Sequence, residues 1–526
     1  MKQQQESRLS VVIAALLLGI LMASMDNSIV ATAMGNIVGE IGGMDKFVWV
    51  TSAYMVAEMA GMPIFGKLSD MYGRKRFFVF GIILFMIGSA LCGTAHSITQ
   101  LALFRAVQGI GGGALIPIAF TIMFDAVPLE KRGKLGGLFG AVFGISSIFG
   151  PLLGAYITDY IAWQWIFYIN LPLGLAALLM IMMFYKESHE HSKQPIDWAG
   201  AATLLGAVVC LMFALEMGGK QLAWDSIEII SLFGGFVLLT AVFLYCETKA
   251  KEPIITFGLF KNRIYASSVV IGFFSGAAFV AASVYIPIYV QGVLGGSATN
   301  SGMVLLPMMV GSVVTATIAG NLMIRISYRS IMLSTLFLLL VGVLLLTTLG
   351  PESSRFEVTM YMILVGLGIG ASFSVLSNAC IHGLSYRQRG TASSTFNFLR
   401  SLGMTLGITM FGMIQNHAFT GRMNKLFSGS EGASASLRID DPHVLLSEQS
   451  RSLIPNELVH SVSQALSSSI THTFAWAVLP VLLACAATLF MGRAKLDASG
   501  AATEGSTVLD EHAASPKERK ECQAVR

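Results

Sequence analysis

The sequence predicts an all-α polytopic membrane protein of fourteen spans, arranged as two six-helix bundles with an inserted two-helix hairpin. Three observations carry that prediction. Of 526 residues, 54% are hydrophobic and only 12% charged, against roughly 25% charged in an ordinary soluble domain, a deficit that no solvated surface allows. Apolar runs of about 20 residues, the length that crosses a hydrocarbon core of about 30 Å, recur from Val11 to the region of Met491. Basic residues are also one-sided. Segments that share the N-terminal face hold 25 Lys and Arg, whereas the short opposite loops hold three, Lys46, Lys220 and Arg355, so both termini are expected in the cytoplasm. The net charge of +4 therefore reports topology first, and no nucleic-acid partner is implied.

The first run, 10–32, is too long for a secretory signal, contains Asp26 and lacks a small-residue cleavage site; it reads as span one. Span two, 47–66, carries Glu58 on a stripe with Tyr54 and Thr51, four and seven residues before it. Span three is 77–95. Span four, 101–123, places Arg105, Gln108 and Gly112 on one face. A guanidinium inside a membrane is costly unless paired, so a carboxylate is expected beside Arg105. Span five, 136–158, is loaded with Gly137, Gly140, Gly144, Gly150, Pro151 and Gly154, the two poorest helix formers. Span six, 163–184, closes the first bundle, 1–185.

Two charged segments, KESHEHSKQP (186–195) and ETKAKEP (247–253), bracket spans seven, 197–217, and eight, 228–246. They define a linker-and-hairpin region over 186–262. His189 and His191 read as solvated loop residues rather than metal ligands, and Glu216 as an interfacial acid.

The second bundle, 263–492, holds spans at 266–291, 300–323, 330–349, 358–381, 392–418 and 471–492, with an extracellular loop over 419–470 and a cytoplasmic tail over 493–526. Span thirteen holds Arg400, which with Arg105 makes the two basic residues inside spans. GLGIGA (366–371) formally matches a dinucleotide fingerprint but lies in an apolar span with no strand before it. A faint repeat relates GKLSDMYGRK (66–75) to GNLMIRISYR (320–329), as in transporters built from two related bundles with a site between them. Candidate cavity residues are Glu58, Tyr54, Gln108, Tyr285, Tyr289 and Asn397; Met308 and Met309 would suit the same adaptable surface, while ordinary helix packing is the more common use of any one of these methionines and tyrosines. The six cysteines show no paired spacing, so neither a disulfide framework nor a zinc site follows. No phosphate loop is present, no cofactor is expected, and energy from ATP is not expected in this chain.

At GKLSDMYGRKR (66–76) the chain resembles the signature loop of the major facilitator superfamily, through Gly66, Asp70, Gly73, Arg74 and Lys75. The glycines permit a tight turn, Asp70 can accept hydrogen bonds from a helix N-terminus, and the basic residues can hold a partner carboxylate. Span four is similar to the family's second motif through Arg105, Gln108, Gly109 and Gly113. Span five resembles the antiporter motif through Gly137, Gly150, Pro151 and Gly154, with Ser146 and Ala155 where that pattern has glycine. Small residues there let a neighbouring helix approach closely. MDNSIVATAMGNI (25–37), WQWIFYINLPLG (163–174), EPIITFGLFKNR (252–263) and RGTASSTFNFLRSLGMTLG (389–407) further resemble the fourteen-span drug:proton antiporters, and the resemblance runs from about residue 10 to 492.

The resemblance implies proton-coupled export of lipophilic, often cationic compounds by alternating access, in a monomer of a bacterial plasma membrane. Its partners would be those substrates, protons and membrane lipid. Proton coupling would fall to Asp26 and Arg105, with Glu58 as a cavity acid for cations or a second proton site. Gly66, Asp70, Gly73, Arg74, Gly137, Gly150, Pro151 and Gly154 would serve conformational change. Two alternatives stay open: a dedicated exporter of one metabolite, siderophore or osmolyte in the same fold, and a transporter-like sensor or scaffold that moves nothing.

Overall fold

The computed structural model describes residues 2–43, 46, 48–127, 129–187, 197–219, 222–250, 252–296, 298–427 and 456–496. Among them there is no strand, only an isolated bridge between Gly218 and Leu222. Fourteen long helices build the described fold: α1 Lys2–Ile41, α2 Val48–Tyr72, α3 Arg74–Cys92, α4 Ile98–Ala126, α5 Leu129–Tyr160, α6 Trp165–Phe184, α7 Trp198–Met217, α8 Ile227–Lys249, α9 Arg263–Gly292, α10 Ala298–Leu322, α11 Tyr328–Leu346, α12 Arg355–Ala379, α13 Tyr386–Phe427 and α14 Asn456–Phe490. Eleven segments among the described residues are long and apolar enough to cross a membrane. Helix α13 falls outside that set because polar residues such as Ser393, Asn397 and Arg400 dilute it.

Several helix starts are written in the sequence as caps. Ser97, Asp197, Ser226, Asn262, Ser327 and Ser354 accept hydrogen bonds from the backbone N–H of Gln100, Gly200, Ile229, Ile264, Ser330 and Glu357, each satisfying a donor that the first turn leaves open. Hydropathy misjudges several ends. Helix α1 continues to Ile41, and the expected loop 419–470 is helical over 419–427 and 456–470. Apolar content marks only the stretch inside hydrocarbon, whereas an established helix gains one hydrogen bond per added residue without a new nucleation cost. The rest of that loop, His189, His191 and residues 497–526 lie outside the described residues.

Helices α1–α6 pack on one another, with α4 at the centre: every residue from Gly111 to Phe124 is buried. Its glycines explain how α2 and α3 fit on both sides. A Cβ added to Gly109 would lie 3.0 Å from Tyr54 Cα, and one on Gly111 would lie 2.9 Å from Phe85 Cα. Helices α9–α14 form the second bundle, where the glycines of GLGIGA have a packing role: Gly366 and Gly370 stand against the backbone of α10 and Gly368 against that of α11. The bundles meet along two seams, α5 against α10 and α2 against α13. The α7–α8 hairpin lies beside α2 in an apolar cluster that joins Val56, Met59 and Met62 to Leu204, Val208 and Leu211 and reaches Phe398 of α13. Lys67 holds the following linker through Glu252 at 2.6 Å. The outside is apolar, with Leu103, Phe149, Val237, Leu238, Phe337 and Leu482 exposed, while charges such as Arg74 and Arg105 are buried. That inversion is what a lipid-facing surface requires; the chain is a multi-pass membrane protein.

Candidate functional site

Asp26, midway along α1, is 2% exposed and Arg105 of α4 is fully buried. They form an ion pair, Arg105 Nη1 to Asp26 Oδ2. Asp26 Oδ1 also accepts hydrogen bonds from Gln108 Nε2 at 2.8 Å and Asn170 Nδ2 at 3.1 Å. Arg105 is equally occupied: it donates to Gln108 Oε1 at 2.7 Å, Asn27 Oδ1 at 3.2 Å and the Val50 carbonyl at 3.3 Å, and its guanidinium lies 4.1 Å over the Tyr54 ring. Ser89 of α3 links Gln108 and Asn170 from the far side at 2.7 and 3.1 Å. Thus α1, α2, α3, α4 and α6 all contribute to one buried polar cluster. A pair removed from water is tolerable only when its remaining donors and acceptors are satisfied, and this cluster does so. Asp26 is the carboxylate that Arg105 demanded; Asn27, Ser89 and Asn170 were not singled out from sequence, although Asn170 stands inside an apolar run.

Of the six expected cavity residues, only Glu58 is not fully buried. The other five are buried. Tyr54 reaches the Ala23 carbonyl at 3.4 Å beneath Arg105, and Gln108 belongs to the ion-pair cluster. Tyr289 donates to the Gly350 carbonyl at 2.5 Å, Tyr285 packs within the second bundle, 5% exposed, and Asn397 donates to the Ser393 carbonyl at 2.9 Å on its own helix. Periodicity assigns a face but not what covers it. Glu58, by contrast, makes no hydrogen bond or ion pair among the described residues. It lies one turn from Tyr54, beside Gly112, where an added Cβ would stand 3.7 Å from its Cγ, and within electrostatic reach of Asp26 and Arg105.

The loop between α2 and α3 ties the two bundles together at one end. Gly73 has φ of 110°, a conformation open to glycine and strained for other residues. It lets α3 start directly after α2. Asp70 then reaches the amino end of α13, accepting from Gly390 N at 3.0 Å, Thr391 N at 2.6 Å and Thr391 Oγ1 at 3.1 Å, where an anion is favoured by unsatisfied donors and the helix dipole. Arg74 donates to Asp70 at 3.2 Å and pairs with Asp125 at the end of α4, and Asp125 accepts from Arg389 of α13 at 3.2 Å. Gly66 and Gly390 make the approach possible: a Cβ on Gly66 would run into Ser394, and one on Gly390 into Asp70. Asp125 and Arg389 are additions to the residues read from sequence.

Helix α5 shows why a span would carry so many helix breakers. A Cβ on Gly150 would lie 2.6 Å from Ser28 Cβ, and one on Gly154 would lie 2.7 Å from the Ile29 carbonyl. Lower on the helix, Gly144 faces Met309 of α10, 3.2 Å from such a Cβ. The glycines thus seat α5 against the α1 turn that follows Asp26 and against the opposite bundle. Pro151 lies inside the helix between the two α1-facing glycines, and Gly137 in its first half.

The sequence profile of the Major Facilitator Superfamily matches residues 16–408. Multidrug resistance protein 3 of Bacillus subtilis (strain 168) is 53% identical over 496 residues, covering 94% of this chain and 97% of that protein. Multidrug transporter protein MdtP of the same organism is 38% identical over 415 residues, 79% of this chain and 77% of that protein. Among solved structures, the proton:xylose symporter XylE matches with a TM-score of 0.57 at 14% identity, covering 94% of this chain and 98% of that one; at that identity the likeness speaks for the fold.

Proposed function

The chain belongs to the major facilitator superfamily, and from that premise we propose that it is a multidrug efflux transporter that exchanges lipophilic, often cationic compounds for protons. The close relatives named as multidrug transporters support the cargo class. The observation that carries the proton reading is Asp26, the acid buried midway through a span and held by a guanidinium and two amide donors. A proton on Asp26 cancels the ion pair and leaves Arg105 buried without its counter-charge, which costs about 3–5 kcal/mol for pairs of this kind. Proton binding therefore has to be accompanied by rearrangement of α1 against α4. The α1 turn that moves is the one packed on the glycines of α5, and α5 also bears on α10 of the other bundle. Loading and releasing a proton at Asp26 is in this way coupled to how the bundles meet.

In the proposed orientation both termini and the Asp70–Arg74–Asp125–Arg389 cluster are cytoplasmic, following the bias in basic residues. The bundles are then latched on the cytoplasmic side, and opening toward the cytoplasm requires Asp70 to leave α13.

Glu58 is proposed to meet the cationic part of the substrate. Its carboxylate is uncommitted, and a desolvated cation needs a counter-charge more than a neutral compound does. Glu58→Gln is expected to weaken binding of ethidium by about tenfold, equivalent to about 1.4 kcal/mol, while binding of an uncharged substrate of similar size changes little. Titration of the purified protein with both compounds reads the difference; equal losses would make Glu58 a structural or general proton-handling acid.

A further inference from the structure

Of the two basic residues inside spans, Arg105 is saturated by Asp26 and its neighbours, and Arg400 is not. Arg400 lies midway along α13 and is half-buried. Gly276 of α9 makes room for its stem: a Cβ there would stand 3.5 Å from Arg400 Cγ. The guanidinium lies 4.1 Å from the centroid of Phe373, which packs edge-on with Phe279 of α9, centroids 6.1 Å apart. Among the described residues no carboxylate lies within ion-pair distance of Arg400, and its side chain makes no hydrogen bond. A guanidinium offers five donors, and an aromatic face offsets only part of their desolvation. An uncompensated cation inside a membrane protein is a functional feature by default.

Phe373 is held over Arg400 by a π turn, Ser372–Leu376, that interrupts α12; such turns recur at functional sites. Ser372 in the same turn is 2% exposed, and its hydroxyl has no hydrogen-bond partner. The depth of Arg400 follows from the antiparallel run of α2 along α13. Asp70 meets Thr391, Gly66 meets Ser394, and Met59 meets Thr405. Arg400 falls between the last two, five residues or roughly 7.5 Å of helix rise from Thr405, and hence about one and a half turns from the level of Glu58, on the side of Gly66. An uncommitted acid in one bundle and an uncommitted guanidinium in the other therefore stand about one and a half turns apart in depth, on helices that adjoin across a seam.

We propose that Arg400 is the anion-binding point of the substrate cavity. It receives the carboxylate of an aromatic zwitterion whose ring lies on the Phe373 side and whose cationic group turns toward Glu58. The substrate class thus extends beyond lipophilic cations. This rests on the efflux reading above and deepens it.

Rhodamine B, which carries a free carboxylate, and its ethyl ester, in which that charge is masked, separate the two. Both dyes are expected to bind the purified full-length protein in lipid nanodiscs, followed by fluorescence polarisation. Arg400→Gln should weaken the acid by about tenfold or more, as loss of a charge-assisted contact does, and the ester by less than about twofold. Arg400→Lys, which keeps the charge, should recover a large part of the acid's affinity. Ester binding also reports whether the variant is folded. Equal losses for both dyes, an unchanged affinity for the acid, or wild-type protein that binds the ester alone would overturn the proposal while leaving efflux of cations intact; wild-type protein that binds neither dye would overturn both.

Discussion

Asp26→Asn is expected to abolish proton-driven export while leaving a protein that inserts and still binds substrate. Asparagine keeps the shape of the side chain and can still accept from Gln108 or Asn170, but it cannot carry the proton. The ion pair with Arg105 is lost with it. Removing one partner of such a pair destabilises by about 3–5 kcal/mol because the other charge stays buried, so the single variant should also melt earlier. The double variant Asp26→Asn with Arg105→Gln replaces two charges by two amides and should recover much of the stability without recovering coupling. Substrate-induced proton release from purified protein, read with a pH dye, should be absent in both variants. If the single variant released protons on substrate addition as the native protein does, coupling would have to reside elsewhere, with Glu58 the next acid to test.

The second large effect is expected at the latch. Asp70 accepts two backbone and one side-chain hydrogen bond at the amino end of α13 and a further one from Arg74. Hydrogen bonds to a charged group contribute about 1.5–3 kcal/mol each. Asp70→Asn removes the charge that all four share, so the latched state should lose at least about tenfold in population. Ser394, buried in the seam where Gly66 adjoins α13, reports this. In a cysteine-free background, Ser394→Cys should be protected from a membrane-impermeant thiol reagent. Addition of Asp70→Asn should make it reactive in inside-out vesicles and not in intact cells. Reaction from the outside of intact cells would reverse the proposed orientation, and continued protection in both preparations would mean that Asp70 does not hold the bundles together.

Much of this arrangement is legible in the residues because charge inside a membrane demands explanation. Arg105 requires a carboxylate, and Asp26 is the acid midway along span one; their contact follows from that demand. Asp70 and Gly73 are legible for a similar reason, since an acid and a positive-φ glycine at fixed spacing have few uses other than a helix-end contact and a tight turn. Ser89 and Asn170 are not legible in the same way. A neutral polar residue in an apolar run can be satisfied by its own helix, as Asn397 is by the Ser393 carbonyl, so it predicts no partner. Asp125 sits at a span end, where solvation alone would account for an acid. Tyr54 and Gln108 show the limit of periodicity: spacing puts each on a stated face, and that face meets another helix. The helices also outrun the apolar segments, most clearly at Phe427 and Asn456, because backbone hydrogen bonding does not end where hydrocarbon does.

The central claim is exchange of substrate for protons through Asp26, and the most direct measurement uses proteoliposomes without ATP, loaded at acidic pH and diluted into neutral buffer with ethidium, a permanent cation. Each unit of pH difference supplies about 1.4 kcal/mol per proton, enough for about a tenfold accumulation. Ethidium should accumulate only while the gradient lasts, its entry should speed the rise in lumenal pH, Asp26→Asn should abolish both effects, and a protonophore should abolish the accumulation. Accumulation that persists without a pH gradient, or that leaves lumenal pH unchanged, would contradict the account.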